Sequence, residues 1–291
     1  MKDFKGKAAV ITGSASGVGL ALAERLAREG CNVALADIEA PALEAAVARV
    51  KALGVDAIGV RTDVSKADQV EALAQKSFDH FGEVHLVFNN AGVGGGGAMT
   101  IWDTDVSAFR WAFDVNFYGV LNGINAFAPR LLRQNKEAVL SATSSGAGLI
   151  FPPNGPAYSA SKAAVIALME ILSFQLMMAG SPVKAACLFP GPYVVDTNLF
   201  NSQRNAPEEY KNNNQLGGGI TSMESFQQAM EQMIGRRVET TQPEEFAEYV
   251  FAALQRDEFW IMPLNDRTAK ALRDRFEGMI DKTNPMIADM L

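Results

Sequence analysis

The feature that most constrains the fold is an alternation of short apolar runs with longer segments of helical period. The first four runs read AAVIT, NVALAD, AIGVRTD and VHLVFN, and segments with helical spacing separate them at residues 17–29, 40–53 and 66–81. The runs are largely apolar rather than alternately apolar and polar, which is typical of parallel strands covered by helices on both faces. The beginning of the chain therefore predicts repeated β-α-β units.

The same rhythm returns in the second half of the chain. A helix is predicted at 109–134 before the strand AVLSAT, a helix at 158–179 before the strand VKAACLF, and a helix at 243–256 before a strand at 259–262. Because β-α-β crossovers are right-handed, this order predicts a doubly wound α/β (Rossmann) fold with a mostly parallel sheet of about seven strands and helices on both faces. A length of 291 residues fits a single domain of this kind.

Two segments depart from the rhythm. Residues 192–241 are rich in Asn, Gln, Gly and Met and are too long for an ordinary connection. Since ligands of doubly wound sheets bind beyond the carboxyl ends of the strands, we interpret this insertion as a lid over the substrate, with a passive surface insertion as the alternative. The tail at 264–291 carries apolar residues at helical spacing between Leu272 and Ile280, which predicts an amphipathic helix packed on its own or a neighbouring subunit.

Charge and composition argue against several classes of protein. The net charge is −7 and no Lys/Arg run is present, so neither nucleic acid nor a membrane surface is an expected partner. No stretch of 18 apolar residues and no leader of the secretory type is visible, so we expect a cytoplasmic protein. Cys31 and Cys187 are expected to be reduced thiols, and His80 and His85 do not cluster with them, so no metal site is predicted.

A glycine-rich turn follows the first predicted strand and opens the first helix. In ITGSASGVGLALAERLA, Gly13, Gly17 and Gly19 permit a tight turn and the close approach of backbone N–H groups to a pyrophosphate. Asp37 ends the second predicted strand, where a carboxylate can accept hydrogen bonds from both ribose hydroxyls of a nucleotide. The strand, turn, helix and acidic residue together predict a dinucleotide site.

Asp37 also indicates which dinucleotide is bound. Its carboxylate would repel the 2′-phosphate of NADP, and Ser14, Ala15 and Ile38 supply no arginine that would offset this repulsion. We therefore predict NAD as the cofactor.

Tyr158 and Lys162 lie four positions apart in PAYSASKAAV, a run that otherwise has helical character. Their side chains would share one helix face, about one turn apart. The pair is either an acid/base group with its electrostatic partner or an ordinary tyrosine beside a lysine, and the spacing alone does not separate these alternatives. Hydrolysis by a serine nucleophile has no support, because no histidine is placed to partner a serine.

Several motifs together resemble the short-chain dehydrogenase/reductase family from about residue 5 to residue 263. They are the spacing Gly-x-x-x-Gly-x-Gly, the NNAG segment at 89–92, and the positions Asn116, Ser145, Tyr158 and Lys162. The resemblance implies interconversion of a secondary alcohol and a ketone, with Tyr158 transferring the proton. An ordinary phenol has a pKa near 10, and Lys162 with the positive nicotinamide ring is expected to lower the pKa of Tyr158.

The resemblance also assigns Ser145 and Asn116. Ser145 follows a predicted strand, where its hydroxyl could bind the substrate oxygen; Ser144 is the competing serine, and the family interval to Tyr158 favours Ser145. Asn116 would by resemblance bind a water that links Lys162 to solvent. The alternative for Asn116 is an ordinary residue at a helix kink.

The glycine turn and the resemblance give the expected cofactor contacts. The resemblance implies that Asp63 and Val64 flank the adenine and that the Pro190-Gly191 turn meets the nicotinamide. The full set of expected contacts is Gly13, Ser16, Gly17, Val18, Gly19, Asp37, Ile38, Asp63, Val64, Asn89, Ala91, Gly92, Tyr158, Lys162, Pro190, Gly191, Val194 and Thr197. Thr197 stands later after Gly191 than in most members, so a contact with the carboxamide does not carry over directly.

Three segments are expected to form the walls of the substrate site. They are VGGGGAMTIW at 93–102, GLIFPPNGP at 148–156, and the 192–241 insertion with Tyr193, Leu199, Phe200, Met223 and Phe226. Met99 and Trp102 beside four glycines indicate a roomy apolar mouth, which favours bulky aromatic or alicyclic secondary alcohols.

The opening and closing segments resemble the aryl ether Cα-dehydrogenase branch of the family, which oxidises lignin-type benzylic alcohols with NAD. Hydroxysteroid dehydrogenase and 3-oxoacyl reductase activities stay open as alternatives, and so does a catalytically silent NAD-binding sensor or scaffold. The resemblance further implies a homodimer or homotetramer joined through the helices that contain Asn116 and Tyr158.

Overall fold

A computed structural model describes residues 1–96, 100–211, 222–235 and 237–287. Three residues of a predicted wall segment, 97–99, and the middle of the insertion, 212–221, lie outside the described residues. The strands are β1 (Ala8–Thr12), β2 (Asn32–Asp37), β3 (Ala57–Arg61), β4 (Leu86–Asn89), β5 (Ala138–Thr143), β6 (Val183–Leu188), β7 (Val194–Val195), β8 (Thr240–Thr241) and β9 (Trp260–Ile261).

The helices are α1 (Gly17–Arg28), α2 (Ala40–Lys51), α3 (Ala67–Phe81), α4 (Val106–Phe113), α5 (Gly119–Gln134), α6 (Pro156–Met178), α7 (Glu208–Lys211), α8 (Met223–Ile234), α9 (Pro243–Gln255) and α10 (Asp266–Asp281).

Seven strands form one parallel sheet in the order β3-β2-β1-β4-β5-β6-β9. The chain leaves β3 at one edge and returns to the other side of β1 at β4, so the strand order reverses beside β1. In open α/β sheets, ligands bind at the carboxyl ends of the strands near this reversal. The predicted doubly wound fold in a single domain is confirmed.

Helices cover both faces of the sheet and enclose two apolar cores. One core joins the sheet to α1, α2 and α9, and the other joins it to α3, α5 and α6. Phe127 and Phe246 are among the largest fully buried side chains, one on each face. Full burial of a side chain of this kind contributes about 1.5–3 kcal/mol, which explains why apolar strand runs specify this layered arrangement.

The predicted helix at 109–134 differs from the structure in one respect. It begins earlier, with α4, and a five-residue π-helical segment, Asp114–Tyr118, separates α4 from α5. π segments inside α-helices are rare and often occur at functional sites. Asn116 lies in the middle of this segment, so the predicted helix carries a local distortion at a candidate site residue.

The 192–241 insertion contains regular structure in its described part. Residues Asn198–Asn205 form 3₁₀ turns, α7 and α8 follow, and β7 pairs with β8 near the two ends of the insertion. The tail after the last strand forms α10, which buries only Ala271.

One helix among the described residues, α6, is long and apolar enough to cross a membrane by length and composition. Its Val165, Met169 and Leu172 side chains are buried in the core beneath the sheet, as in a core helix of a globular fold.

Candidate active site

A cavity of about 1760 Å³ opens at the carboxyl ends of the strands. This volume exceeds the 300–1,000 Å³ that is typical of small-molecule pockets, so it has room for a dinucleotide and a second ligand. The wall includes most of the predicted site residues: Gly13, Ser16, Gly17, Val18, Asp37, Ile38, Asp63, Val64, Ala91, Gly92, Ser145, Tyr158, Lys162, Pro190, Val194 and Thr197.

Four predicted site residues do not line this cavity: Gly19, Asn89, Asn116 and Gly191. Gly19 packs directly on the glycine turn, where an added Cβ would lie 2.2 Å from the Gly13 carbonyl oxygen. Asn89 is buried and donates from Nδ2 to the Ser141 carbonyl at 3.1 Å. The structure thus places Gly19 and Asn89 behind the wall, where they support it.

The glycine turn between β1 and α1 has the geometry of a phosphate-binding loop. Gly13 and Gly17 adopt positive φ angles of 63° and 54°. A Cβ on Gly13 would lie 2.7 Å from the Ala91 Cα, so this close approach requires glycine. Ser16 precedes α1 and lies on the cavity wall. Its side chain makes no capping hydrogen bond to the first N–H groups of α1. Such groups suit an anionic pyrophosphate.

Asp37 lies at the carboxyl end of β2, on the cavity wall. Its carboxylate accepts hydrogen bonds from the backbone N–H groups of Ala15, at 3.0 Å, and Glu39, at 3.1 Å. These bonds tie the acidic residue to the glycine turn, in the position that a ribose-binding carboxylate requires.

Tyr158 lies in the first turn of α6, and its side chain is hydrogen-bonded to that of Ser145. Burial raises the pKa of Tyr158, and the hydrogen bond with Ser145 offsets this only in part. The expected lowering of the Tyr158 pKa is therefore not seen in this structure. Desolvation disfavours the phenolate more strongly than its surroundings stabilise it.

Lys162 is buried one turn after Tyr158, with its Nζ 5.7 Å from the centre of the tyrosine ring. Nζ donates to the Thr143 carbonyl oxygen at 2.8 Å. Burial lowers the pKa of Lys162 from its ordinary 10.5 to about 8. Lys162 therefore stays mostly protonated at neutral pH and loses its charge above about pH 8.

The two adjacent serines occupy different environments. Ser144 is buried, and its hydroxyl donates to the Lys162 carbonyl at 2.8 Å, which ties the end of β5 to α6. Ser145 also lines the cavity, beside Tyr158, and accepts a hydrogen bond from the Ala147 N–H at 3.2 Å. Both serines lie on the cavity wall, but the Ser144 hydroxyl already donates to a backbone carbonyl, so that of Ser145 is better placed to bind a ligand next to Tyr158.

Asn116 fastens the loop after β4 to α6. Its Oδ1 accepts from the Val93 N–H at 2.8 Å, while its Nδ2 donates to the Val93 carbonyl at 3.0 Å and to the Ser161 hydroxyl at 2.9 Å. Both Asn116 Oδ1 and Lys162 Nζ would lie 3.3 Å from a Cβ on Gly92. Asn116 thus lies in the π-helical segment and beside Lys162; both its part in a proton relay and the alternative stay predictions.

Thr197 contacts the glycine turn. Its Cγ2 would lie 3.1 Å from a Cβ on Gly17, and its hydroxyl accepts a hydrogen bond from the Leu199 N–H at 3.3 Å. With this longer spacing after Gly191, Thr197 lies against the glycine turn on the cavity wall.

A contact between the insertion and the turn after β2 has no signal in the sequence. Arg204 forms an ion pair with Glu39 at 2.5 Å, and Asn205 Nδ2 donates to the same carboxylate at 2.8 Å. Earlier in the same segment, the Ser202 hydroxyl accepts a hydrogen bond from the Gly94 N–H at 3.0 Å. The Asn198–Asn205 segment thus extends along the cavity wall and connects Thr197, at the glycine turn, with Glu39.

Within the described parts of the chain, no three His, Cys, Asp or Glu side chains form a group that could hold a metal ion. Cys31 and Cys187 are both free and buried, and burial raises the pKa of each thiol to about 12.

Comparisons with known proteins agree with this geometry. The sequence pattern of the short chain dehydrogenase family matches residues 7–208. A 1-deoxy-11-beta-hydroxypentalenate dehydrogenase of Streptomyces exfoliatus is 33% identical over 94% of this chain and 88% of its own. A C alpha-dehydrogenase of a Sphingobium species is 30% identical over 99% of this chain and 90% of its own. The crystal structure of a short chain dehydrogenase/reductase from Burkholderia phymatum in complex with NAD is 38% identical, covers 98% of both chains and has a TM-score of 0.86.

Proposed function

Because the chain belongs to the short-chain dehydrogenase/reductase family, we propose that it is an NAD-dependent oxidoreductase that interconverts a secondary alcohol and a ketone. The observation that carries this proposal is the hydrogen-bonded pair of Tyr158 and Ser145, with the buried Lys162 one turn away, on the wall of the cavity that the glycine turn enters. A binding protein without chemistry has no need for this arrangement.

The chain's own residues fit a dinucleotide. The uncapped start of α1 and the close-packed Gly13 would hold the pyrophosphate, and Asp37 would accept the ribose hydroxyls. Asp63 and Val64 lie on the wall where the adenine is expected. When bound, NAD supplies a nicotinamide carbon that accepts a hydride from the alcohol carbon.

Tyr158 would take the hydroxyl proton as the C–H bond of the alcohol breaks, so proton and hydride leave together and a C=O bond forms. The substrate oxygen would lie between the hydroxyls of Tyr158 and Ser145, which already share a hydrogen bond. Since burial raises the pKa of Tyr158, the positive charge on Lys162 is needed to make phenolate accessible. In the reverse direction Tyr158 would donate the proton.

The substrate is proposed to be a bulky aromatic alcohol of the benzylic aryl ether type, with alicyclic alcohols as the second class. Aromatic side chains on the insertion support the first class: Phe200 and Phe226 stack with ring centres 5.0 Å apart, and both line the cavity. Similarity to the C alpha-dehydrogenase points the same way, whereas similarity to the pentalenate dehydrogenase supports an alicyclic substrate. Hydroxysteroid and 3-oxoacyl substrates remain alternatives.

A substrate panel tests this proposal. The purified chain with NAD would be offered 2-phenoxy-1-phenylethanol, cyclohexanol, a hydroxysteroid and a 3-hydroxyacyl thioester, and NADH formation would be followed by absorbance. We expect the largest kcat/KM with the aryl ether alcohol. A preference for another class would reassign the substrate, and tight NADH binding without turnover of any alcohol would instead support the silent sensor or scaffold.

Asp37 is proposed to select NAD over NADP. In Asp37→Ala, removal of the carboxylate should weaken NADH binding and improve NADPH binding, so the ratio of the two Kd values should shift by about tenfold or more toward NADPH. Fluorescence titration of both cofactors measures the ratio. Glu29→Ala, an exposed carboxylate at the far end of α1, is the matched control and should leave it unchanged. Equal or better binding of NADPH by the unchanged protein would contradict the assignment.

The described part of the insertion is proposed to act as a lid over the substrate, and over the cofactor as well. Its contacts with Gly94 and Glu39 attach it to two residues of the cavity wall, so release of a bound dinucleotide would require these contacts to open. Burial raises the pKa of Glu39, but hydrogen bonds from Asn205 and Arg204 outweigh this effect and lower the pKa overall.

Loss of the Arg204–Glu39 ion pair should speed cofactor release. Arg204→Gln is expected to raise the NADH dissociation rate about fivefold, because a partly exposed ion pair contributes up to about 1 kcal/mol. Stopped-flow displacement measures the rate, and exchange of the two charges in Glu39→Arg/Arg204→Glu should restore it. Arg28→Gln, which breaks an ion pair with Glu24 inside α1, is the control. Equal rates in all four proteins would leave a passive insertion as the better description.

A homodimer or homotetramer is proposed to form through α5 and α6. Ile171, Phe174 and Met177 on α6 are exposed, with Met177 at 71%, and Leu132 on α5 is also exposed. An apolar face of this kind is typical of an interface between subunits. Analytical ultracentrifugation at micromolar concentration should give twice or four times the chain mass, and a monomer would contradict the proposal. A cytoplasmic location stays a prediction.

A further inference from the structure

Arg275 connects the tail of the chain to the turn that carries Ser145. From the third turn of α10, its Nη1 donates to the Leu149 carbonyl at 2.7 Å, and its guanidinium lies 4.1 Å from the centre of the Phe151 ring. A guanidinium is planar, so the same group can donate in its plane and stack on an aromatic ring with its face. Arg275 therefore contacts both the backbone and a side chain of one short segment, residues 149–151.

That segment is a compact turn that starts at Ser145. The Gly148 N–H donates to the Ser145 carbonyl at 2.9 Å, and the Leu149 and Ile150 N–H groups donate to the Gly146 carbonyl at 2.9 and 2.8 Å. On its inner side the turn rests on α6, because a Cβ on Gly148 would lie 2.8 Å from the Lys162 carbonyl carbon. The turn thus has a fixed support on the side of Lys162.

On its outer side, the turn is supported by Arg275 of the tail. Phe151 is half exposed, so burial alone does not fix this end of the turn. Ile150, between the two residues that Arg275 contacts, is buried and lines the cavity. Any outward shift of Leu149 would therefore move both the cavity wall and the turn that begins at Ser145.

We propose that Arg275 is a positioning residue, which holds the Ser145 hydroxyl against Tyr158 by clamping the turn from outside. The proposal rests on the proposed function for its effect on the reaction. Arg275 lies well beyond residue 208, where the match to the family pattern ends, so the tail supplies this support from outside the matched region.

Arg275→Met, Arg275→Lys and the control Arg273→Met, an exposed arginine on the same helix, test the proposal. With 2-phenoxy-1-phenylethanol and NAD, Arg275→Met should lower kcat about tenfold, because misplacement of a reacting group by about 1 Å can cost up to 10²-fold. The Kd of NADH should change by less than about threefold, since Arg275 contacts the 149–151 turn and no residue of the proposed cofactor wall. KM should change less than kcat, because the proposed loss is in the position of the Ser145 hydroxyl rather than in substrate binding. Arg275→Lys keeps a donor but loses the planar stack, so its kcat should lie between those of Arg275→Met and the original protein.

Hydrogen–deuterium exchange gives a readout that is independent of turnover. The amides of Gly148, Leu149 and Ile150 should exchange at least several-fold faster in Arg275→Met than in Arg273→Met, with unchanged exchange in β1 and β4 as internal reference. Faster exchange in a protein that oxidises no alcohol would keep the clamp and reject the proposed function. Equal exchange and equal kcat in Arg275→Met and Arg273→Met would overturn the clamp, and if Arg275→Met does not fold, the same comparison with Arg275→Lys decides.

Discussion

Replacement of Tyr158 by Phe should abolish measurable turnover while the Kd of NADH stays within about threefold of the original. The substitution removes one hydroxyl and keeps the ring, so the packing at the start of α6 is retained. The lost hydroxyl is the one hydrogen-bonded to Ser145, and no other phenol on the described cavity wall shares this contact. Without it, the alcohol proton loses the acceptor that the proposed function assigns to it. Steady-state kinetics with 2-phenoxy-1-phenylethanol and fluorescence titration of NADH provide the two measurements.

Tyr249→Phe is the matched control for this variant. The Tyr249 hydroxyl donates to the Met262 carbonyl at 3.2 Å, away from the cavity wall, so its loss should cost about 1 kcal/mol of stability and leave kcat unchanged. Activity of Tyr158→Phe within a few-fold of the original protein would mean that another group accepts the proton.

Replacement of Ser145 by Ala should lower kcat by about 10² to 10³, the usual cost of one donor at a developing oxyanion. The hydroxyl hydrogen-bonds to Tyr158, so its loss removes both a ligand for the substrate oxygen and a partner that orients the phenol. The variant also loses the hydrogen bond from the Ala147 N–H, which should cost about 1 kcal/mol of stability. The kinetic effect is much larger than this stability effect, and denaturant unfolding separates the two.

Ser144→Ala provides the comparison. Ser144 donates to the Lys162 carbonyl from a buried position, so its removal should destabilise the fold by about 1 kcal/mol, the usual contribution of one hydrogen bond. Its kcat should stay within about threefold of the original at a temperature where the protein is folded. If Ser144→Ala lost the larger share of kcat and Ser145→Ala did not, the roles of the two serines would have to be exchanged.

The features that could be predicted from the sequence are those that depend on local patterns. Apolar runs of strand length separated by helical segments are enough to specify parallel strands and covering helices, because both patterns follow from burial. The turn at Gly13 was predictable because positive φ and close backbone contact leave few alternatives to glycine. The four-residue spacing of Tyr158 and Lys162 fixed their common helix face.

Contacts between distant segments could not be predicted in this way. Arg204 and Glu39 are 165 positions apart, and Arg275 and Leu149 are 126 positions apart, so no periodicity links them. Asn116, in the π segment, hydrogen-bonds through its side chain to Val93 and Ser161, which lie on separate elements.

The pKa of Tyr158 shows a different limit of sequence reasoning. Proximity to Lys162 predicted a lower value, but burial acts in the opposite direction and dominates in this structure. Burial also lowers the pKa of Lys162 itself, so Lys162 loses its positive charge at a lower pH than an exposed lysine would. The balance between desolvation and charge depends on the full three-dimensional surroundings, which residue spacing does not contain.

A deuterium label on the alcohol carbon tests the proposed reaction most directly. 2-Phenoxy-1-phenylethanol deuterated at its carbinol carbon would be incubated with the protein and NAD, and the products would be analysed by mass spectrometry. The proposed function predicts one ketone for each NADH formed, with the deuterium in the NADH and a slower rate than with the unlabelled alcohol. Ketone formed together with unlabelled NADH, or no ketone from this or any other secondary alcohol, would contradict it.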